Sequence, residues 1–179
     1  MATNPQIIAL QEARAVPEVE ILDPRGAALF IEGQEASPVG DAGQFGFTEG
    51  PVWVPQRGSW IFSDIPNAAQ HEYTRVLGTG AGTGELKPYR IPSGNSNGNF
   101  LSNEGELLTC EHANRVLSKT DMKTGERTTL AAEFGGKQLT SPNDVIQSRI
   151  TGHIYFTDPD YGTMEALGHG QPQDQVTCQ

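Results

Sequence analysis

Three oxygen-bearing side chains recur along the chain at nearly constant spacing. Glu49, Asn97 and Asn143 are 48 and 46 residues apart, and each precedes a Gly or an Asp at the head of a short apolar run. One carboxylate and two amides offer hard oxygen ligands, which suit Ca²⁺ or Mg²⁺, with Mn²⁺ as a further choice, rather than copper or iron–sulfur chemistry. If the fold brings the three together, they predict a divalent-cation site.

Each of the three residues also has a simpler interpretation, which is a turn for the two asparagines and a solvated surface charge for Glu49. Asn97 followed by Gly is a strong signal for a tight turn. Asn143 and Asp144, which follow Ser-Pro, equally suit a turn that starts a strand. Glu49 stands beside Gly-Pro at the head of an apolar run, where a solvated acid has no evident structural task. Metal ligation is therefore favoured for Glu49 and left open for Asn143, whereas the turn is favoured over ligation for Asn97.

The segments that carry these residues form an internal repeat. Residues 49–64, 97–111 and 143–158 each hold an apolar-alternating run, a polar turn with a glycine, and a second run that ends in an acid. The period lies between the ~40–45 residues of WD-type and the ~50 of kelch-type propeller blades. The innermost strand of each propeller blade lines the central channel, so equivalent positions of successive blades are expected to converge there.

Short strands fill the rest of each period. The runs WIFSD and IYFTD are aromatic and β-branched, as strands are. Outer strands are predicted at 71–78 and 85–91 in the first copy and at 114–121 and 126–134 in the second, with a flexible hairpin tip at 78–84. The sequence thus predicts an all-β fold, a β-propeller of about two and a half blades of four-stranded antiparallel sheets. A β-sandwich or meander is the alternative.

The repeat also sets the expected domain boundaries. Residues 1–40 precede it as a lead-in arm, 41–170 form the partial propeller, and 171–179 form an irregular tail. With 36% hydrophobic residues, 21 Gly and 12 Pro, the composition suits many short strands joined by turns.

Charge and composition exclude several classes of function. A net charge of −10 argues against nucleic-acid binding, which needs a basic face. No window has the length of apolar sequence that a membrane span needs, and the N-terminus does not resemble a secretory signal. Only Cys110 and Cys178 are present, which gives neither a disulfide framework nor zinc-ligand spacing. A cytoplasmic protein that contacts neither nucleic acid nor membrane is expected.

Three phrases in a fixed order resemble the family of SMP-30, gluconolactonase and related lactonases. They are FTEGPVW at 47–53, NGNFLSNEGELLTCEHANRV at 97–116, and SPNDVIQS followed by GHIYFTDPDYG within 141–162. The lead-in VEILDPRGAALF at 19–30 is also similar to that of microbial gluconolactonases. The resemblance implies a six-bladed propeller with one divalent metal in its channel. Ca²⁺ is expected first, with Mg²⁺, Mn²⁺ or Zn²⁺ as alternatives.

The resemblance also implies roles for individual residues. Glu49 and Asn143 are expected to bind the metal, and Asn97 and Asn143 to face the substrate. His112 and Asp144 are the catalytic candidates, although a histidine at a strand end can simply bond a neighbouring carbonyl. The acids that end the second runs, Asp64 and Asp158, are expected to cap turns instead.

The implied activity is hydrolysis of a small-molecule lactone, in which the metal polarises the carbonyl for attack by water. The family's further ligands, an Asn and an Asp from later blades, have no counterpart in this sequence. The chain alone is therefore expected to be weakly active or inactive, and to self-associate through open propeller edges. The alternative is a non-catalytic propeller fragment that acts as a binding or vestigial module.

Overall fold

The structure is a computed structural model, and it describes residues 23, 25–26, 38–41, 43–75 and 84–163. Within these ranges the chain forms short antiparallel strands and a 3₁₀ turn at Tyr161–Thr163. The predicted arm, tail and hairpin tip fall almost entirely outside the described residues. In the described ranges no helix has the length and apolar character needed to cross a membrane.

The first repeat folds into a four-stranded sheet whose strands follow one another in chain order. They are β1 (Thr48–Val54), β2 (Ser59–Asp64), β3 (Ala69–Arg75) and β4 (Gly84–Arg90). A tight turn joins β1 to β2, in which Gly58 takes a left-handed φ of 61° that glycine adopts without strain. The sheet confirms the four predicted strands of this copy.

The second repeat gives a sheet of the same order: β5 (Ser96–Leu101), β6 (Leu107–Glu111), β7 (Val116–Thr120) and β8 (Arg127–Ala131). The single strand predicted at 126–134 is wrong, because β8 ends at Ala131. A separate hairpin follows, made of β9 (Glu133–Phe134) and β10 (Lys137–Gln138). Gly135 and Gly136 form its turn with φ values of 61° and 77°.

The third repeat contributes a two-stranded sheet of β11 (Val145–Gln147) and β12 (Ile154–Phe156). Its pairing continues past the strand ends, where the Asn143 amide donates to the Thr157 carbonyl at 2.9 Å and the Thr157 amide to the Asp144 carbonyl at 3.0 Å. The described residues therefore form two four-stranded sheets and two two-stranded sheets.

Each sheet packs face to face on the next one along the chain. Strands alternate their side chains between faces, so the adjacent buried residues Leu107 and Leu108 belong to different cores. Leu107 packs against Val54 and Ile61 of the first sheet. Leu108 lies in a second cluster that includes Val145 of the third sheet. Serial stacking of antiparallel sheets is the arrangement of propeller blades.

The first strands of the three sheets meet backbone to backbone, because a glycine stands at each contact. A Cβ placed on Gly98 would lie 2.6 Å from the Asn143 carbonyl oxygen and 2.8 Å from Asp144 Cα. The Gly98 amide donates to that same carbonyl at 2.7 Å. Gly50 is equally close to the backbone of residues 97–99. These contacts place the heads of all three repeats along one edge of the stack.

Candidate functional site

The convergence of the repeat heads forms a polar cavity of about 300 Å³. Glu49 and Asp144 are exposed at its rim, Asn97 is buried, and Asn143 is half-buried. The remaining lining is contributed by Gly50, Pro51, Gly98 and Asn99. The structure thus brings four of the five predicted site residues to one cavity.

Two strand irregularities occur at the candidate residues. The register between β1 and β2 shifts between Glu49 and Val52, and that between β5 and β6 shifts between Ser96 and Asn99. A bulge leaves residues unpaired and re-aims side chains, which is why bulges are frequent beside functional sites. Asn97 lies within the second bulge, so the tight-turn interpretation of Asn97-Gly is wrong.

Asn97 connects the cavity to the interior. Its amide nitrogen donates to Asn143 Oδ1 at 2.7 Å and lies 3.2 Å from His112 Nε2. His112 is 1% exposed and is absent from the cavity lining, so this predicted catalytic residue lies behind Asn97 instead of at the cavity surface. The group that Nε2 contacts here is a side-chain amide.

A buried polar network supports the cavity from below, and its members were not identified from the sequence. Asn99 is its centre: its amide nitrogen donates to the Gly50 carbonyl at 3.0 Å and to Ser63 Oγ at 2.9 Å. The side-chain oxygen of Asn99, Oδ1, accepts from Gln70 Nε2 at 2.7 Å and from Thr109 Oγ1 at 2.9 Å. The only sequence signal is that polar residues stand at inward-facing positions of predicted strands.

The acids that end the second strands, which the sequence predicts to be turn caps, bond the backbone just before the repeat heads. Asp64 and Asp158 each accept hydrogen bonds from two backbone amides that lie 17 and 18 residues earlier. The donors are Gly46 and Phe47 for the first acid and Thr140 and Ser141 for the second. Neither acid lines the cavity.

Two other buried carboxylates are bound to arginines and take no part in the cavity. Hydrogen bonds from Arg57 lower the pKa of Glu72 to about 2. Burial works to raise the pKa of Glu111, but hydrogen bonds from Arg127 and Ser118 outweigh it and hold the pKa below its ordinary value. These acids join strands within and between the first two sheets, so their role is structural.

The donor set at the cavity fits an oxygen-ligated cation in part. Glu49 offers a carboxylate, and Asn143 Oδ1 keeps a second lone pair beside its bond from Asn97. In the described part of the chain no group of three His, Cys, Asp or Glu side chains is arranged to hold a metal. Ca²⁺ takes roughly six to eight oxygens, so these residues supply only part of a coordination sphere.

Comparisons with known proteins agree with this architecture. The family model described as SMP-30/Gluconolactonase/LRE-like region matches residues 47–171. A gluconolactonase from Zymomonas mobilis subsp. mobilis is 33% identical over 124 residues, which cover 65% of this chain and 34% of that protein.

Two solved structures share the fold. An X-ray structure of a protein provisionally named a gluconolactonase matches with a TM-score of 0.74 and 34% identity, covering 87% of this chain and 50% of that one. A gluconolactonase from Xanthomonas campestris, described as important in glucose secondary metabolic pathways, matches with a TM-score of 0.56 and 30% identity, covering 65% and 36%. The chain spans half or less of the length of these relatives. It belongs to the SMP-30/gluconolactonase/LRE-like family.

Proposed function

We propose that this chain carries the cation-binding and substrate-facing residues of a divalent-cation-dependent lactonase. The observation that supports this most is the meeting of Glu49, Asn97 and Asn143, the heads of three repeats, at one polar cavity. The relatives named above bear the name gluconolactonase, which supports a sugar-acid lactone as the substrate class.

Glu49 and Asn143 would hold the cation, with Ca²⁺ as the first choice. When bound, a divalent cation supplies Lewis-acid stabilisation to the oxygen charge that develops as water adds to a carbonyl. Asn97, at the cavity wall, would orient the lactone or the attacking water by hydrogen bonding. Hydrolysis then breaks the ring C–O bond and yields the open hydroxy acid.

Asp144 is the group that would accept the proton from the attacking water. Its carboxylate lies at the cavity rim and is exposed, and Oδ1 accepts a bond from the Val145 amide at 2.9 Å. An ionised carboxylate within reach of bound water is suited to general-base catalysis. The same group would return the proton to the leaving alkoxide, so that no net acid or base is consumed before the product ionises.

The test is Ca²⁺ binding by titration calorimetry together with glucono-δ-lactone hydrolysis, with and without chelator. We expect Glu49→Gln to weaken Ca²⁺ binding by at least about tenfold, because even indirect supports of a metal site cost this much when removed. Glu104→Gln is the matched control, since Glu104 is exposed in a turn away from the cavity. Equal Ca²⁺ affinity in both variants would contradict the cation site.

We expect turnover by the 179-residue chain to be weak, because its described residues supply only part of a coordination sphere. Ca²⁺ binding that depends on Glu49, with no chelator-sensitive hydrolysis of any lactone, would favour the alternative function of a non-catalytic binding module. Chelator-sensitive hydrolysis at the rate of an intact gluconolactonase would contradict the expectation of weak turnover.

A further inference from the structure

His112 occupies a fixed place directly behind the cavity wall. It follows β6, and its backbone amide donates to the Asn95 carbonyl at 3.2 Å, which ties it to the residue just before β5. The side chain is 1% exposed. Its Nε2 lies 3.2 Å from the amide nitrogen of Asn97, which does line the cavity. A change at His112 can therefore reach the cavity through Asn97.

The chemistry of this contact depends on where the imidazole carries its proton. The Asn97 amide nitrogen has two hydrogens and no lone pair to accept with, and it already donates to Asn143 Oδ1 at 2.7 Å. Nε2 of His112 can accept the other hydrogen only when the ring is neutral and protonated at Nδ1. With Asn143 Oδ1 facing Asn97, as in the structure, the opposite orientation of the Asn97 amide would bring two oxygen acceptors together with no proton between them.

We infer that His112 is a positioning residue: its neutral ring, protonated at Nδ1, holds the Asn97 amide nitrogen inward. The side-chain oxygen of Asn97, Oδ1, is then the atom left for a ligand in the cavity. Asn143 Oδ1 stays oriented by the hydrogen bond that it accepts from Asn97. His112 thus sets which amide atoms the cavity presents, and it transfers no proton to or from substrate. The effect on cation or lactone binding rests on the proposed function, whereas the tautomer of His112 does not.

The tautomer is measured by ¹⁵N NMR of the imidazole side chains, with the His112 signals assigned by comparison with His112→Gln. We expect Nε2 of His112 to show the shift of an unprotonated nitrogen and Nδ1 that of a protonated one at neutral pH. A protonated Nε2 would overturn the inference, whether or not the chain binds a cation or hydrolyses a lactone.

Two substitutions separate positioning from packing and from proton transfer. His112→Gln keeps an acceptor at about the distance of Nε2, whereas His112→Leu keeps apolar volume and removes the acceptor. We expect His112→Leu to weaken Ca²⁺ binding by about 10- to 100-fold, as for other supports behind metal ligands, and His112→Gln to restore most of that affinity. Thermal melts identify a variant that fails to fold.

Each other result contradicts a specific part of the inference. Ca²⁺ affinity that is unchanged in His112→Leu would mean that the ring only fills space. A loss of kcat in His112→Gln as large as in His112→Leu, with KM unchanged, would mean that His112 transfers a proton. Absence of both Ca²⁺ binding and lactone hydrolysis in the unaltered chain would refute the proposed function, and the NMR result would still decide the tautomer.

Discussion

Glu72 shows how a single buried carboxylate joins strands within the first sheet. Its side chain is 3% exposed, and Arg57 contacts its two oxygens from the β1–β2 turn at 2.7 Å each. Ser59 donates to it at 2.6 Å, and Lys87 of β4 lies 3.6 Å away. Because each of these partners favours the charged form, the carboxylate is stabilised in the folded state despite its burial.

We expect Glu72→Gln to lower the free energy of unfolding by about 2–3 kcal/mol at pH 7. A carboxyl group whose pKa is lower in the folded than in the unfolded state stabilises the folded state when it is ionised. The folded pKa of about 2 lies below the ordinary value of 4.5, so this stabilisation is complete above pH 4.5 and is lost as the pH falls toward 2. Urea unfolding at pH 7 and pH 3 measures it. The exposed Glu104→Gln is the control, and a Glu72→Gln deficit that does not shrink at pH 3 would contradict the assignment.

At the scale of residues, the sequence identified the cavity because the repeat period is visible in one dimension. Glu49, Asn97 and Asn143 stand at equivalent offsets, and a propeller converts equivalent offsets into neighbours. The sequence made His112 a catalytic candidate but could not show that it lies behind Asn97, because whether a side chain lines a cavity or lies behind one depends on its neighbours from other strands. The bonds of Asn99 to Gln70 and Gly50 span 29 and 49 residues, and no local pattern marks them.

At the scale of strands, glycines set how closely the sheets approach. Gly98 pairs with the backbone of the next repeat, and any Cβ there would meet backbone atoms that cannot rotate away. Sequence analysis found the strand heads from their pattern, but it missed this close contact. The pattern also did not show that the run at 126–134 is broken, because Ala131, Ala132 and Phe134 continue its apolar character up to the turn.

We expect Gly98→Ala to destabilise the fold by about 3 kcal/mol, the upper range for forcing extra atoms into a closely packed contact. Gly125→Ala is the control: Gly125 has a φ of 76° and no atoms within 4 Å of an added Cβ, so only backbone strain of about 1 kcal/mol applies. Denaturant unfolding compares the two. Similar losses in both variants would mean that the contact between β5 and the third repeat adjusts easily.

At the scale of the whole molecule, the first sheet leaves an aromatic face without a neighbouring sheet in the described residues. Trp53 and Trp60 pair across β1 and β2 and are 42% and 44% exposed. They stand at the positions that Leu101 and Leu107 occupy in the second sheet, where those residues pack on the first sheet. At the other end, Ile146 and Tyr155 of the third sheet are 54% and 55% exposed.

These two exposed faces correspond to the faces through which neighbouring sheets pack within the chain. Such packing occurs twice, between the first and second sheets and between the second and third. We expect a second copy to place its third-sheet face on the first-sheet face, with the reciprocal contact closing a symmetric pair. Burial of apolar side chains favours that association, while the net charge of −10 on each copy opposes it. Added salt screens the repulsion and leaves the apolar contact, so it is expected to strengthen self-association.

We expect the chain to self-associate at micromolar concentrations in sedimentation velocity. Large aromatic side chains dominate interface energy, so the joint substitution of Trp53→Ser and Trp60→Ser is expected to raise the dissociation constant by about tenfold or more. Ile150→Ser is the control, because Ile150 is 95% exposed in a turn between β11 and β12. A monomer at all concentrations and salt levels would contradict the second-copy assignment. Association unchanged by the tryptophan substitutions would place the contact on another surface, because the first-sheet face would then contribute nothing to it.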